Sequence, residues 1–161
     1  MALLPMRMNS VIGLNKDENT AFKTNRILVV DDEEFCIASM RVILAKAGID
    51  TEEQVDYCIT GTEAVEQVEE AFRSKISYKL IFMDFNMPVM DGIEATLLIQ
   101  TFFNDHQVPE NERPVIIGLT GHVQEKFKTK GAAVGMQEVL GKPLYFSRLL
   151  EILNHYNMVW L

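Results

Sequence analysis

A chain of 161 residues, 48% hydrophobic and 24% charged, has the composition of one soluble globular domain, which excludes a disordered tail, a collagen and a disulfide scaffold. Fifteen Lys and Arg against twenty-three Asp and Glu leave a formal charge of −8, which disfavours nucleic acid and anionic membranes and suits cations or basic partners. No apolar run approaches the ~18 residues of a bilayer-spanning helix, so no membrane insertion is expected. The start, Met1-Ala2-Leu3-Leu4-Pro5-Met6-Arg7-Met8, lacks the basic and long apolar regions of a signal peptide. Cys36 and Cys58 fall in apolar stretches without metal-ligand spacing, and read as buried free thiols of a reducing, cytoplasmic compartment.

Residues 1–25 show no sustained periodicity and read as a tail or linker. From Arg26 the pattern changes. Ile27-Leu28-Val29-Val30 is a β-branched-rich run of the kind buried on both faces of a sheet, and it stops at Asp31-Asp32-Glu33-Glu34. Cys36, Met40, Ile43, Leu44 and Ala47 then recur at helical spacing, with Gly48 placed as a C-terminal cap. Val55 to Ile59 is a second strand. Gly61-Thr62 opens a helix to about Ser74, with Thr62 as the N-cap and Ala64, Val65, Val68 and Phe72 on one face.

Leu80-Ile81-Phe82-Met83 is a third strand, ending at Asp84. A loop containing Pro88 and Asp91-Gly92 leads to a helix from about Ile93 to Phe103, and Asn104 to Arg113 is a polar loop. Val115 to Leu119 is a fourth strand, ending at Thr120. A weaker helix covers about Val123 to Val134, and Gln137 to Gly141 is a short fifth strand ending at Lys142-Pro143. The last helix uses Phe146, Leu149, Leu150, Leu153 and Tyr156. The domain therefore spans 26–157, leaving 158–161 as a C-terminal tail.

Strands alternating with helices predict an α/β fold, a doubly wound (βα)5 unit with a five-stranded parallel sheet. Ligands of such sheets bind beyond the carboxyl ends of the strands. Asp31, Asp32, Asp84, Thr120 and Lys142 all follow strand ends and should converge on one edge. Three carboxylates brought together disfavour joint ionisation unless a cation offsets them. A hard divalent ion such as Mg²⁺, held by one or two carboxylates with waters and a phosphate, answers that need. The competing reading is that acids end strands because strand ends meet solvent. Lys142 offers a compact charge for a phosphoryl or carboxylate oxygen, and Thr120 a hydroxyl.

Four motifs, in order, carry a resemblance: Leu28-Val29-Val30-Asp31-Asp32, Met83-Asp84-Phe85-Asn86-Met87-Pro88-Val89-Met90-Asp91-Gly92, Gly118-Leu119-Thr120-Gly121 and Gly141-Lys142-Pro143. Over roughly residues 26–157 the sequence resembles the receiver domain of two-component response regulators, and of hybrid histidine kinases in particular. The resemblance implies a flavodoxin-like receiver fold and a Mg²⁺-dependent phosphorelay role. In that role Asp84 is the phosphoacceptor. Asp32, Asp84 and the carbonyl of Asn86 ligate the metal, and Asp31 acts mainly through water. Thr120 and Lys142 contact the phosphoryl group. It also implies a cis Lys142-Pro143 bond, and a histidine kinase or histidine phosphotransfer protein as the donor. The domain would not be a turnover enzyme beyond its own phosphorylation and dephosphorylation.

Three positions depart from the family pattern or tune it. Val139 stands where many receivers carry the aromatic of the switch, so coupling to the output face is expected to weaken or to run through the loop after Thr120. Asn86 and His122 occupy the positions that tune phosphoryl lifetime. Two other readings stay open at this point. One is a receiver-fold binding module indifferent to phosphorylation, which Val139 supports. The other is an Asp-nucleophile phosphohydrolase, disfavoured because Asn86 cannot act as the acid/base two residues after the nucleophile. The stretch Gly135 to Lys142 fails as a phosphate-binding loop, with five residues between its glycines and Pro143 in place of Ser or Thr. No output domain fits after 157, which leaves a stand-alone receiver or a piece of a hybrid kinase, with the oligomeric state open.

Overall fold

A computed structural model describes residues 23–158. The expected strands form one parallel sheet: β1 (Lys23–Val30), β2 (Val55–Cys58), β3 (Ile76–Asp84), β4 (Val115–Thr120) and β5 (Glu138–Gly141). Their order is β2-β1-β3-β4-β5, and every neighbouring pair is parallel. The helices α1 (Glu34–Lys46), α2 (Gly61–Arg73), α3 (Gly92–Asp105), α4 (Glu125–Val134) and α5 (Phe146–His155) complete a doubly wound, flavodoxin-like unit. The order reverses between β1 and β3, the place where such sheets open a crevice at their carboxyl edge.

Successive residues of a strand face opposite sides, and the central strands are apolar on both. Leu28 and Val30 of β1 join Ile81, Met83 and Ile116 beneath α2, α3 and α4, where Val68, Ile99 and Phe103 pack. Ile27 and Val29 face the other way, with Leu80, Phe82 and Ile117, beneath α1 and α5. The two cores bury the central strands on both faces, which fixes where their carboxyl ends lie.

Several boundaries shift. β1 starts at Lys23, and β3 starts at Ile76 where it pairs with that residue. The cap of α2 is Thr60, not Thr62, because Thr60 Oγ1 accepts the Glu63 N–H at 3.0 Å. Gly48 closes α1 in the left-handed conformation at φ 88°, as expected. The loop after α3 starts later and is better organised than the sequence indicates. A single 3-10 turn spans Glu110–Glu112, and Arg113 donates to Gln100 Oε1, Asn104 Oδ1 and the Val108 carbonyl. Leu150 points outward from α5, while Ile152 is buried. Met158 is not tail: its N–H bonds the Leu153 carbonyl at 2.8 Å and its side chain fills the α1–α5 core. The N-terminal segment expected as a tail or linker lies outside the described residues up to 22, as does the C-terminal 159–161.

One polar cluster ties four elements. Arg26 on β1 grips Asp56 on β2 with two nitrogens at 2.6 and 2.9 Å. Tyr78 on β3 donates to the same carboxylate at 2.6 Å, and Gln67 on α2 donates to Tyr78 Oη at 2.9 Å. Burial works against ionisation of Asp56, but these hydrogen bonds outweigh it and hold its carboxyl below the usual range.

Candidate functional site

Each predicted residue sits at the carboxyl edge because its strand ends there. Asp31 continues β1 through its N–H to the Cys58 carbonyl at 3.1 Å. Asp84 is the last residue of β3, and the next N–H, of Phe85, bonds the Leu119 carbonyl at 2.9 Å. Lys142 extends the β4–β5 ladder by one bond, its N–H to the Thr120 carbonyl at 2.8 Å, and its peptide bond to Pro143 is cis. Gly92 lets α3 begin against this edge. A β-carbon there would overlap the Asp84 carbonyl, so no larger residue fits.

The side chains then meet. Lys142 Nζ lies 2.6 Å from Asp31 Oδ2 and 3.0 Å from Asp84 Oδ1. Both carboxylate residues are almost fully buried, at 3% and 2% exposure, whereas Asp32 faces solvent. Asp31, Asp32 and Asp84 each present an oxygen within 4.8 Å of the others. Asp31 Oδ1 accepts the Glu33 N–H at 2.9 Å, and Asp84 Oδ1 takes a long contact of 3.4 Å from the Asn86 N–H. Thr120 is wholly buried at the end of β4, with its hydroxyl turned to its own loop, 3.3 Å from His122 N and 3.4 Å from His122 O.

Three carboxylates against one ammonium leave the cluster two negative charges in excess. Burial first, and then the neighbouring Asp31, push the Asp84 carboxyl up to about 6 despite the hydrogen bond from Lys142. Burial alone would lower the Lys142 ammonium, but its bonds to Asp31 and Asp84 prevail and raise it. An oxygen-only donor set with two uncompensated charges fits a hard divalent cation.

Some features were not legible in the sequence. Cys36, expected to be buried, is only half-buried, and its sulfur lies 3.9 Å from Lys142 Nζ. Asp31, Glu33 and Cys36 make a second close grouping that shares Asp31. The one available signal was that Cys36 lies one helical turn beyond Asp32. The exposed apolar side chains Phe35, Ile59, Val89, Val123 and Tyr145 fall one to each β-to-α connection or the helix turn beside it, around the acidic mouth. Val89 is fully exposed at φ 69°, a strained conformation for a β-branched residue. A cavity of about 710 Å³ lies at the other end of the sheet among Phe72, Tyr78, Phe103, Arg113 and Met158. None of the acidic cluster lines it, and Arg113 directs its side-chain donors to Val108 of its own loop and to Gln100 and Asn104 of α3.

Comparison with known proteins accords with this geometry. The family model for the response regulator receiver domain matches residues 27–154. The signal transduction histidine-protein kinase BarA of Escherichia coli K12 is 33% identical over 150 residues, which is 93% of this chain and 14% of that kinase. The chain thus spans only a small part of the length of that relative. The receiver domain of the histidine kinase CKI1 from Arabidopsis thaliana, complexed with Mg²⁺ and BeF3⁻, superposes with a TM-score of 0.71 at 29% identity, covering 84% of this chain and 91% of that one. A co-crystal from Saccharomyces cerevisiae, of a histidine phosphotransfer signaling protein and the receiver domain of its downstream response regulator, matches with a TM-score of 0.69 at 26% identity over 84% and 90% of the two chains.

Proposed function

The chain belongs to the response regulator receiver domain family of two-component signalling, and on that premise we propose that it accepts a phosphoryl group from phosphohistidine onto Asp84 and signals by the resulting change in its surface. The observation that carries this reading is the joint seat of Asp31, Asp32 and Asp84 with Lys142 bridging two of them. A carboxylate oxygen of Asp84 forms the new P–O bond. The P–N bond of the donor breaks in line, and its electron pair stays with the departing imidazole nitrogen. The Lys142 ammonium, already within hydrogen-bond reach of Asp84, offsets charge on the phosphoryl oxygens. Thr120 turns its hydroxyl from its own loop to the phosphoryl group. Asp31, Asp32, Asp84 and the Asn86 carbonyl would hold Mg²⁺, which supplies charge neutralisation for the transferring group.

The donor we propose is a histidine kinase or histidine phosphotransfer protein, met in the cytoplasm. The apolar side chains around the mouth favour a protein donor, because an imidazole that reaches buried Asp84 brings its surface down onto them. The module is a switch rather than a turnover enzyme. Val139, buried and aliphatic, supports a second reading in which partners bind without regard to phosphorylation.

Acetyl phosphate and beryllofluoride, each with Mg²⁺, separate these readings. Wild type should take one label per chain, and Asp84→Asn none. Equal labelling of the variant would refute Asp84 as acceptor. Labelling that leaves partner affinity unchanged would favour the second reading.

A further inference from the structure

The residue after Asp84 reaches directly to a helix. Phe85 is buried, and its ring fills a slot formed by two glycines. A β-carbon on Gly118 would overlap the ring edge, and one on Gly131 of α4 would stand 3.5 Å from Phe85 Cζ and 2.5 Å from Val139 Cγ2. Beside this slot the Phe127 ring, one turn earlier on α4, meets Phe85 edge to face, with centroids 5.7 Å apart at 80°. α4 sits on this core through Phe127, Gly131 and Val134, with Phe127 against Phe85 and Gly131 against Phe85, Met136 and Val139.

Otherwise the first turn of α4 has an exposed Glu125–Lys128 ion pair at 3.3 Å, a contact worth little in water. Gln124 at the N-cap makes no side-chain capping bond. Thr129 Oγ1 donates back to the Glu125 carbonyl at 3.0 Å, a bond that does not strengthen the helix. Gly131 costs about 1 kcal/mol relative to Ala in a helix interior. Residues 121–126 are all exposed. Phe85, by contrast, is pinned through its N–H to Leu119 O and its carbonyl to Gly92 N, at 2.9 and 3.1 Å.

We infer that the Phe85–Phe127 pair is the latch that holds the first turn of α4, and that it carries the state of Asp84 to α4 from the β3 side, where β5 offers only Val139. The movement of the latch rests on the phosphoacceptor reading. Thr120, drawn to the phosphoryl group, pulls residues 121–124, and Phe127 slides from the edge of Phe85. The latch itself rests on geometry alone.

Amide hydrogen exchange of the full chain tests it, with and without Mg²⁺ and beryllofluoride. In the unliganded protein Phe127→Ala should exchange the hydrogen-bonded amides of residues 127–131 about tenfold faster than wild type. Phe127→Tyr, which keeps the ring, should match wild type. Exchange in β1 should be equal in all, which separates release of α4 from general loosening. Acetyl phosphate labelling of Asp84 should stay within about twofold in these variants. Beryllofluoride should change exchange at 127–131 in wild type and add little in Phe127→Ala. Should Phe127→Ala fail to fold, Phe127→Leu, which keeps apolar volume without a ring, should show the same pattern at a few-fold. Wild-type exchange at 127–131 in the ring-less variant would overturn the latch, as would an undiminished response to beryllofluoride. If wild type itself takes no beryllofluoride, the phosphoacceptor reading fails, while the unliganded comparison still decides the latch.

Discussion

Lys142 stands between two buried carboxylates that would otherwise repel each other across a few ångströms. Removing one partner of a buried ionic group costs about 3–5 kcal/mol, because the remaining charges lose their compensation. Lys142→Ala should therefore lose roughly 3 kcal/mol in urea denaturation without metal. Mg²⁺ should narrow that gap, since a dication supplies the missing charge; an equal deficit with and without Mg²⁺ would argue against the shared site. Asp56 makes a separate residue-scale prediction. Its carboxyl titrates lower in the folded chain than its ordinary 3.8, so the stabilisation is complete above that value and disappears as pH falls through the folded one. Asp56→Asn should be less stable by about 2 kcal/mol at pH 7, and the difference should shrink below pH 3.8. A gap that persists at low pH would mean that packing, not the Arg26 and Tyr78 bonds, is responsible.

Among the elements, the connection from β3 to α3 sets the site most tightly. Gly92 abuts the Asp84 carbonyl with no room for a methyl group. Gly92→Ala should cost about 3 kcal/mol, since backbone must move. It should also lower acetyl phosphate labelling roughly 10- to 100-fold by displacing Asp84. Labelling at the wild-type rate would show that the loop yields without moving the carboxylate. How far the elements were legible follows from the same physics. Ile27 to Val30 and Leu80 to Met83 are apolar on both faces and stop at acids, so the strand ends, and with them Asp31 and Asp84, could be read directly. Ile76 to Lys79 mix apolar and polar residues, and the start of β3 depends on pairing with β1. Thr60 and Thr62 are both competent caps, and only the direction of the backbone chooses between them. Met158 follows a polar helix end, and its burial is decided by tertiary packing in the core beneath α1 and α5. Cys36 and Phe127 lie far in sequence from Lys142 and Phe85, so no local pattern announces either contact.

At the scale of the whole molecule, the acidic mouth and its apolar surround face the same way. A small donor needs only the mouth, whereas a protein donor must also cover the surround. Phe35→Gln or Val89→Gln should not lower thermal stability or acetyl phosphate labelling, since both side chains are exposed and no charge is added. Either should slow transfer from a phosphorylated histidine phosphotransfer protein about tenfold. Equal slowing with both donors would place the effect on Asp84 rather than on docking. The strand order has a further outcome. β2 and β5 lie at the two edges and run only four residues each. Another chain seeking to add a strand would find few backbone groups to pair with on either side, which is how sheets resist edge-to-edge aggregation. Copies crowded together at high concentration, or strung along a longer polypeptide, would thus meet through their helices rather than fuse their sheets.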